Sequence, residues 1–186
     1  MYSLEVLKIM ELIDVFDENN IFLGYCLTRK EVHDMNLWHR HVSCYIMNKK
    51  DGSILMQKRS LNKIKNPGMW AKTGGHVESN EDPNDAIIRE VYEEIGLKID
   101  KENVNVVEIF KGDHYFSYGY IFYTDKEINS FKLQKNEVDD VKYFKIEELE
   151  IHYKSRDKNF TFCKWDEESF NRQMELLKEF RNKIIK

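Results

Sequence analysis

The chain of 186 residues has two prolines, Pro67 and Pro83, eight glycines and three cysteines. With so few chain breakers, and with no Gly/Ser-rich linker, repeat or low-complexity tract, nothing marks a boundary, so residues 1–186 read as a single domain. Cys26, Cys44 and Cys163 are odd in number, far apart and form no CxxC. That excludes a disulfide scaffold and a zinc knuckle, and fits the reduced thiols of a cytoplasmic protein. No run approaches the 18 or so apolar residues of a membrane span, and the N-terminus is acidic where a secretory signal is basic, so no membrane partner is expected. Nor is there a basic excess: 29 Lys and Arg face 33 Asp and Glu, a net charge of −4. Duplex nucleic acid is therefore not an expected partner. An anionic ligand needs local help from a metal or a basic pocket.

The hydrophobic share of 41% and aromatic share of 13% supply a core. A chain of this size buries roughly 70% of the surface that its unfolded form exposes, without staples. Residues 11–17 and 21–28 flank Asp17-Glu18-Asn19-Asn20 and predict an N-terminal hairpin over about 11–28. A polar stretch spans 31–36. A second hairpin is predicted from 41–48 and 53–59 around Lys49-Lys50-Asp51-Gly52. Asp82 can cap a helix with Pro83 at its first position and Gly96 at its end. Ile88, Val91, Tyr92 and Ile95 follow the spacing of a buried stripe on that helix. Strand-like runs cover 104–110, 115–123 and 138–144, and a last helix over about 166–185 carries Phe170, Met174, Leu177 and Ile184 on one side. Strands, helix, strands, helix is an α+β order with a mixed sheet, not alternating βαβ units.

The segment with chemistry in it is 75–97. Glu90, Glu93 and Glu94 stand at i, i+3 and i+4, which puts three carboxylates on one helical face. They repel one another by a few tenths of a kcal/mol per pair, so the cluster calls for solvent or a cation. Hard oxygen donors at this spacing suit Mg²⁺ or Mn²⁺, which keeps waters and takes further ligands from a phosphorylated substrate. Gly75, five residues, Glu81, seven residues, Arg89-Glu90-Val91, one residue, Glu93-Glu94, one residue, Gly96-Leu97 is the full pattern. With residue usage near one in fifteen, seven fixed positions match by chance about once in 10⁸ windows.

This pattern resembles the Nudix box. The resemblance implies the Nudix fold, an α/β/α sandwich with a mixed central sheet, and hydrolysis of a small-molecule diphosphate with Mg²⁺, or Mn²⁺, as cofactor. It implies Glu90 and Glu94 as metal carboxylates, Glu93 as a further ligand or the base, and the Gly74 carbonyl as a main-chain ligand. Arg89 and Glu81 correspond to the ion pair that holds the loop onto the helix, with Gly75 and Gly96 as structural positions of the box. In several relatives the base, or an extra ligand, precedes a late strand, where Glu137 stands here. Such hydrolases often form homodimers.

Upstream, Trp38-His39-Arg40-His41, Gln57-Lys58-Arg59-Ser60, Pro67-Gly68-Met69-Trp70 and Gly74-Gly75-His76-Val77 resemble the isopentenyl-diphosphate isomerase side of the superfamily. There the histidines matching His39 and His76 bind a metal, and a late Trp resembling Trp165 lies over the isoprenoid. Isomerisation is thus an alternative reading. Against it, the catalytic Cys of the isomerases falls at Gly74, and 114–124 contains no Asp or Glu for the acidic pair on that strand. The proton path is missing. A non-catalytic diphosphate sensor is a further alternative, disfavoured by the complete box. Arg40, Arg59, Lys72, His39 and His76 are candidate substrate contacts, Arg being able to grip phosphate bidentately. The aromatic run 114–123 suggests a pocket without naming its occupant.

Overall fold

In the computed structural model, residues 11–185 are described. Strands β1 (Leu12–Phe16) and β2 (Phe22–Thr28) form the predicted N-terminal hairpin. Asp17 closes its turn by accepting from the Asn19 and Ile21 amides at 2.9 and 2.8 Å. The polar stretch that follows is a helix, α1 (Arg29–Asp34), started by a capping box in which Thr28 and Glu31 satisfy each other's backbone amides. Its six residues carry a single apolar side chain, Val32, so periodicity could not announce it. Val32 packs with Ile13 and Val15 in a small buried cluster, flanked by Leu27 and Leu37.

The second hairpin is β3 (His39–Asn48) and β4 (Ile54–Arg59). Then come the short strands β5 (Trp70–Ala71) and β6 (Thr73–His76), helix α2 (Pro83–Ile95), strands β7 (Val106–Lys111), β8 (Tyr115–Thr124) and β9 (Val138–Phe144), and helices α3 (Ile146–Lys154) and α4 (Glu167–Ile184). The fold is α+β with a mixed central sheet and flanking helices. Two compact units emerge, one from 74–90, 100–120 and the described residues up to Cys44, the other from 45–73, 91–99 and residues from Ile121 onward. Strands β3 and β8 and helix α2 each pass from the first unit into the second.

In the first unit β7 pairs antiparallel with β8, with Ile109 opposite Tyr118 and Phe110 opposite Ser117. In the second, β4 has β3 and β9 as antiparallel partners, with Leu55 opposite Tyr143, and β5 pairs through Gln57 opposite Ala71. The core of the second unit includes Ile54, Met56, Ile146, Leu149, Phe160, Phe170 and Leu177. Tyr153 stacks on Phe170 with centroids 3.7 Å apart. Helix α3 was not foreseen. Its buried residues Ile146, Leu149 and Tyr153 are interleaved with Glu147, Glu148 and Glu150 and with exposed Ile151, and it is packing that selects the buried face. Helix α4 forms where expected: Asp166 caps it by accepting from the Ser169 amide, and the helix buries Phe170, Met174 and Leu177, with Ile184 only half-buried.

Candidate active site

In the first unit the loop before α2 is fastened to the helix by charge. Asp82 caps α2, accepting from the Asn84 amide at 2.8 Å. Arg89 grips Glu81 with both prongs, Nε to Oε1 at 2.9 Å and Nη2 to Oε2 at 2.8 Å, and also donates to the His76 carbonyl at 3.1 Å. A bidentate guanidinium–carboxylate pair fixes direction as well as distance. The Glu81 hydrogen bond, with Glu90 adding charge, pushes the Arg89 guanidinium above its already high range. Glu90 in turn accepts from Arg89 Nη1 at 2.9 Å.

Both glycines of the loop are dictated by close approach. A Cβ on Gly75 would lie 2.1 Å from Glu90 Oε1, and one on Gly74 would lie 2.2 Å from the Val42 carbonyl oxygen. Any side chain at 75 displaces the Glu90 carboxylate. At 74 it collides with backbone, so the position where the isomerases place cysteine has no room for a side chain here.

In the second unit Glu94 is 6% exposed, and its Oε2 accepts from the Gln57 amide at 2.8 Å. The Gln57 carbonyl accepts from the Thr73 hydroxyl at 3.0 Å. All three side chains are buried. The end of α2 is held by the 132–134 segment, whose Lys132 and Gln134 amides donate to the Ile95 and Glu94 carbonyls. Gly96 leaves the helix at φ 67°, a left-handed conformation that glycine adopts without strain. The buried stripe on α2 differs from the predicted one: Ile87, Val91 and Ile95 are buried, Ile88 is half-buried and Tyr92 is 53% exposed. The burial face is rotated by about one residue. Glu94 consequently lies inside it rather than opposite to it, while Glu93 is exposed.

A histidine cluster occupies the first unit. His33 Nε2 and His76 Nε2 are 3.0 Å apart, one ring donating to the other, and His41 meets His76 edge-on at 4.5 Å between centroids. His39 stacks on His76, and its Nδ1 donates to the Leu37 carbonyl, which in a neutral ring leaves the lone pair on Nε2. Glu11 Oε1 stands 3.5 Å from His76 Nδ1. Burial first, then the neighbouring His41, Arg29, His39 and His33, hold the His76 imidazole far below its ordinary pKa. A neutral His76 does not meet phosphate as an imidazolium. His33, His39 and His76 offer ligand atoms within 4.8 Å of one another and could hold a metal that accepts imidazole. His33 and Glu11 were not singled out by sequence, since a lone His or Glu in a polar stretch carries no spacing signal.

The remaining candidates have definite surroundings. Arg40 lies 4.0 Å over the Phe16 ring and donates to the Asn20 side-chain and main-chain oxygens at 2.8 and 3.2 Å. It ties the N-terminal hairpin to β3. Arg59 Nε donates to the Lys65 carbonyl at 3.1 Å. The Lys72 ammonium sits over Tyr45 and Trp165, 4.8 and 5.3 Å from their centroids. Glu137 is ion-paired with Lys63, and its carbonyl accepts from the Ser60 amide.

A profile of the NUDIX domain matches residues 37–165. A Nudix hydrolase of Clostridium acetobutylicum, itself uncharacterised, is 32% identical over 151 residues, 75% of this chain and 72% of its own. An isopentenyl-diphosphate Δ-isomerase of Corynebacterium diphtheriae is 36% identical over 94 residues, covering 50% of each chain. The crystal structure of DR0079 from Deinococcus radiodurans shares the fold at a TM-score of 0.69 and 20% identity, covering 91% of this chain and 98% of that one. Among the described residues, no helix is long and apolar enough to cross a membrane. With the loop, the helix carboxylates and the matched span in agreement, the chain belongs to the Nudix family, as a hydrolase acting on pyrophosphate bonds.

Proposed function

We propose that this hydrolase is metal-dependent and cleaves the phosphoanhydride of a nucleoside-diphosphate-linked or other organic diphosphate. The observation that carries the reading is the carboxylate pair Glu90 and Glu94, four residues apart on α2, with the loop glycine at 75 shaped around the first of them. Oxygen-only donors, one of them 6% exposed, fit a hard divalent cation such as Mg²⁺ or Mn²⁺. Glu90 and Glu94, with the Gly74 carbonyl, would hold it. When bound there, such a cation neutralises phosphate charge and lowers the pKa of a coordinated water.

In this reading exposed Glu93 takes the proton of the attacking water, and Glu137, engaged by Lys63, supports the loop. Lys72 and Arg59 meet the phosphates, while Arg40 is committed to Asn20 and Phe16. The isomerase reading is disfavoured by position 74, where a cysteine side chain meets the Val42 carbonyl. A cytosolic setting is supported by three cysteines that form no disulfide. A homodimer rests on the family habit alone.

The test is a panel of nucleoside and organic diphosphates incubated with Mg²⁺, reading orthophosphate before and after added phosphatase. Turnover that needs the cation and is lost in Glu93→Gln and Glu94→Gln supports the proposal. Tight binding without turnover across the panel would turn it toward a sensor.

A further inference from the structure

We infer that Gln57 and Thr73 are positioning residues for the metal carboxylate Glu94, acting as a relay of neutral hydrogen bonds. This rests on the reading of Glu94 as a metal ligand and adds the residues that aim it. The geometry is one-directional. A glutamine amide can present either its oxygen or its nitrogen, and the wrong face would set a carbonyl against the Glu94 carboxylate. The Thr73 hydroxyl donates to the Gln57 oxygen at 3.0 Å, which leaves the NH₂ group pointing at Glu94 Oε2, 2.8 Å away.

Thr73, Gln57 and Glu94 are 3%, 2% and 6% exposed, so water does not compete for these bonds. A buried carboxylate without donors pays a desolvation cost of several kcal/mol. The Gln57 amide supplies a donor to the carboxylate without adding a charge of its own. A carboxylate has about four lone-pair sites, so one N–H is compatible with a metal on the same group. Each member comes from a different element: Gln57 from β4, Thr73 from β6, Glu94 from α2. The relay therefore transmits the placement of two strands to the helix side chain. Outer partners of this kind typically account for 10–100-fold in metal affinity.

The experiment is Mn²⁺ binding to the metal-free full-length protein, followed by the electron paramagnetic resonance of unbound Mn²⁺, with the metal-free melting temperature recorded for each variant. Gln57→Met keeps the volume and removes the donor; it should weaken Mn²⁺ by about 10–100-fold. Thr73→Val, which leaves the buried Gln57 oxygen without this donor, should weaken it by a smaller factor. Thr73→Ser, which restores the hydroxyl, should recover most of the loss. Mn²⁺ affinity within twofold of wild type in both Gln57→Met and Thr73→Val, with Glu94→Gln strongly impaired, would overturn the relay and leave the metal site standing. Unchanged binding in Glu94→Gln would overturn the underlying reading itself. Equal loss in Thr73→Val and Thr73→Ser would assign Thr73 to packing and overturn its part in the relay.

Discussion

Glu90 and Glu94 are the same side chain, four residues apart on one helix, and they are held in opposite ways. Glu90 is gripped by a charged neighbour, Arg89, and confined by the bare backbone of Gly75. Glu94 is buried and held by a neutral amide. The difference separates two jobs. Arg89 serves the loop, because it holds both the Glu81 carboxylate and the His76 carbonyl, and Glu90 shares that charge. Glu94 meets at Gln57 a donor that carries no charge of its own, inside the buried part of the helix face.

The largest expected effect is at the neutral end. Glu94→Gln replaces an anionic ligand by an amide facing another amide, and turnover on a responsive diphosphate should fall by about three orders of magnitude, since a catalytic cation contributes several kcal/mol. A loss below tenfold would make Glu90 the dominant ligand and reverse the comparison. Next is the backbone wall of the charged end. Gly75→Ala puts a methyl group where Glu90 Oε1 now lies, and should weaken Mn²⁺ by about 10–100-fold while Arg89 still binds Glu81. An unchanged affinity would show that Glu90 can ligate from another rotamer.

Much of this is legible in the sequence. The box named Glu81, Arg89, Glu90 and the loop glycines because each stands at a fixed offset along one chain segment, and the two hairpins announced themselves through turn residues between alternating strands. What stayed hidden was cross-chain. Gln57, Thr73 and Glu94 are 16 and 37 residues apart in sequence along their two bonds. Nothing local distinguishes a glutamine that aims a carboxylate from one on a surface. The same holds for His33 beside His76, 43 residues away. The stripe on α2 differs from its apolar period for a related reason: hydropathy places Tyr92 inside and Glu94 outside, whereas the Gln57 amide lets Glu94 lie buried and Tyr92 is exposed. Helices α1 and α3 escaped notice because short elements with one or a few apolar residues are selected by capping and packing, not by period.

Smaller effects sharpen the comparison from the loop side. Gly74→Ala forces a Cβ against the Val42 carbonyl and should lower stability by about 1–3 kcal/mol, measured by denaturant unfolding. No loss would mean that β3 yields easily there, and would reopen position 74 to larger side chains. The smallest effect is the pH dependence set by His76. Its folded-state pKa is depressed, chiefly by burial, while the unfolded chain titrates near the ordinary value of 6.5. Below about pH 6.5 the unfolded state therefore binds the extra proton, and stability falls as pH drops, by up to about 1.4 kcal/mol per pH unit for this one group. Above that pH the contribution is fully present. In metal-free protein the melting temperature should fall between pH 6.5 and 5, with a shallower slope in His76→Gln; equal slopes would place the titrating group elsewhere.

The central claim, hydrolysis of a diphosphate rather than proton transfer on one, is tested most directly by running the diphosphate panel, isopentenyl diphosphate included, in ¹⁸O-labelled water with Mg²⁺. The account predicts cleavage of a phosphoanhydride with one solvent oxygen incorporated into a phosphorylated product, and no such product from Glu94→Gln. An intact diphosphate carrying an isomerised double bond, with no ¹⁸O in any phosphate, would contradict it.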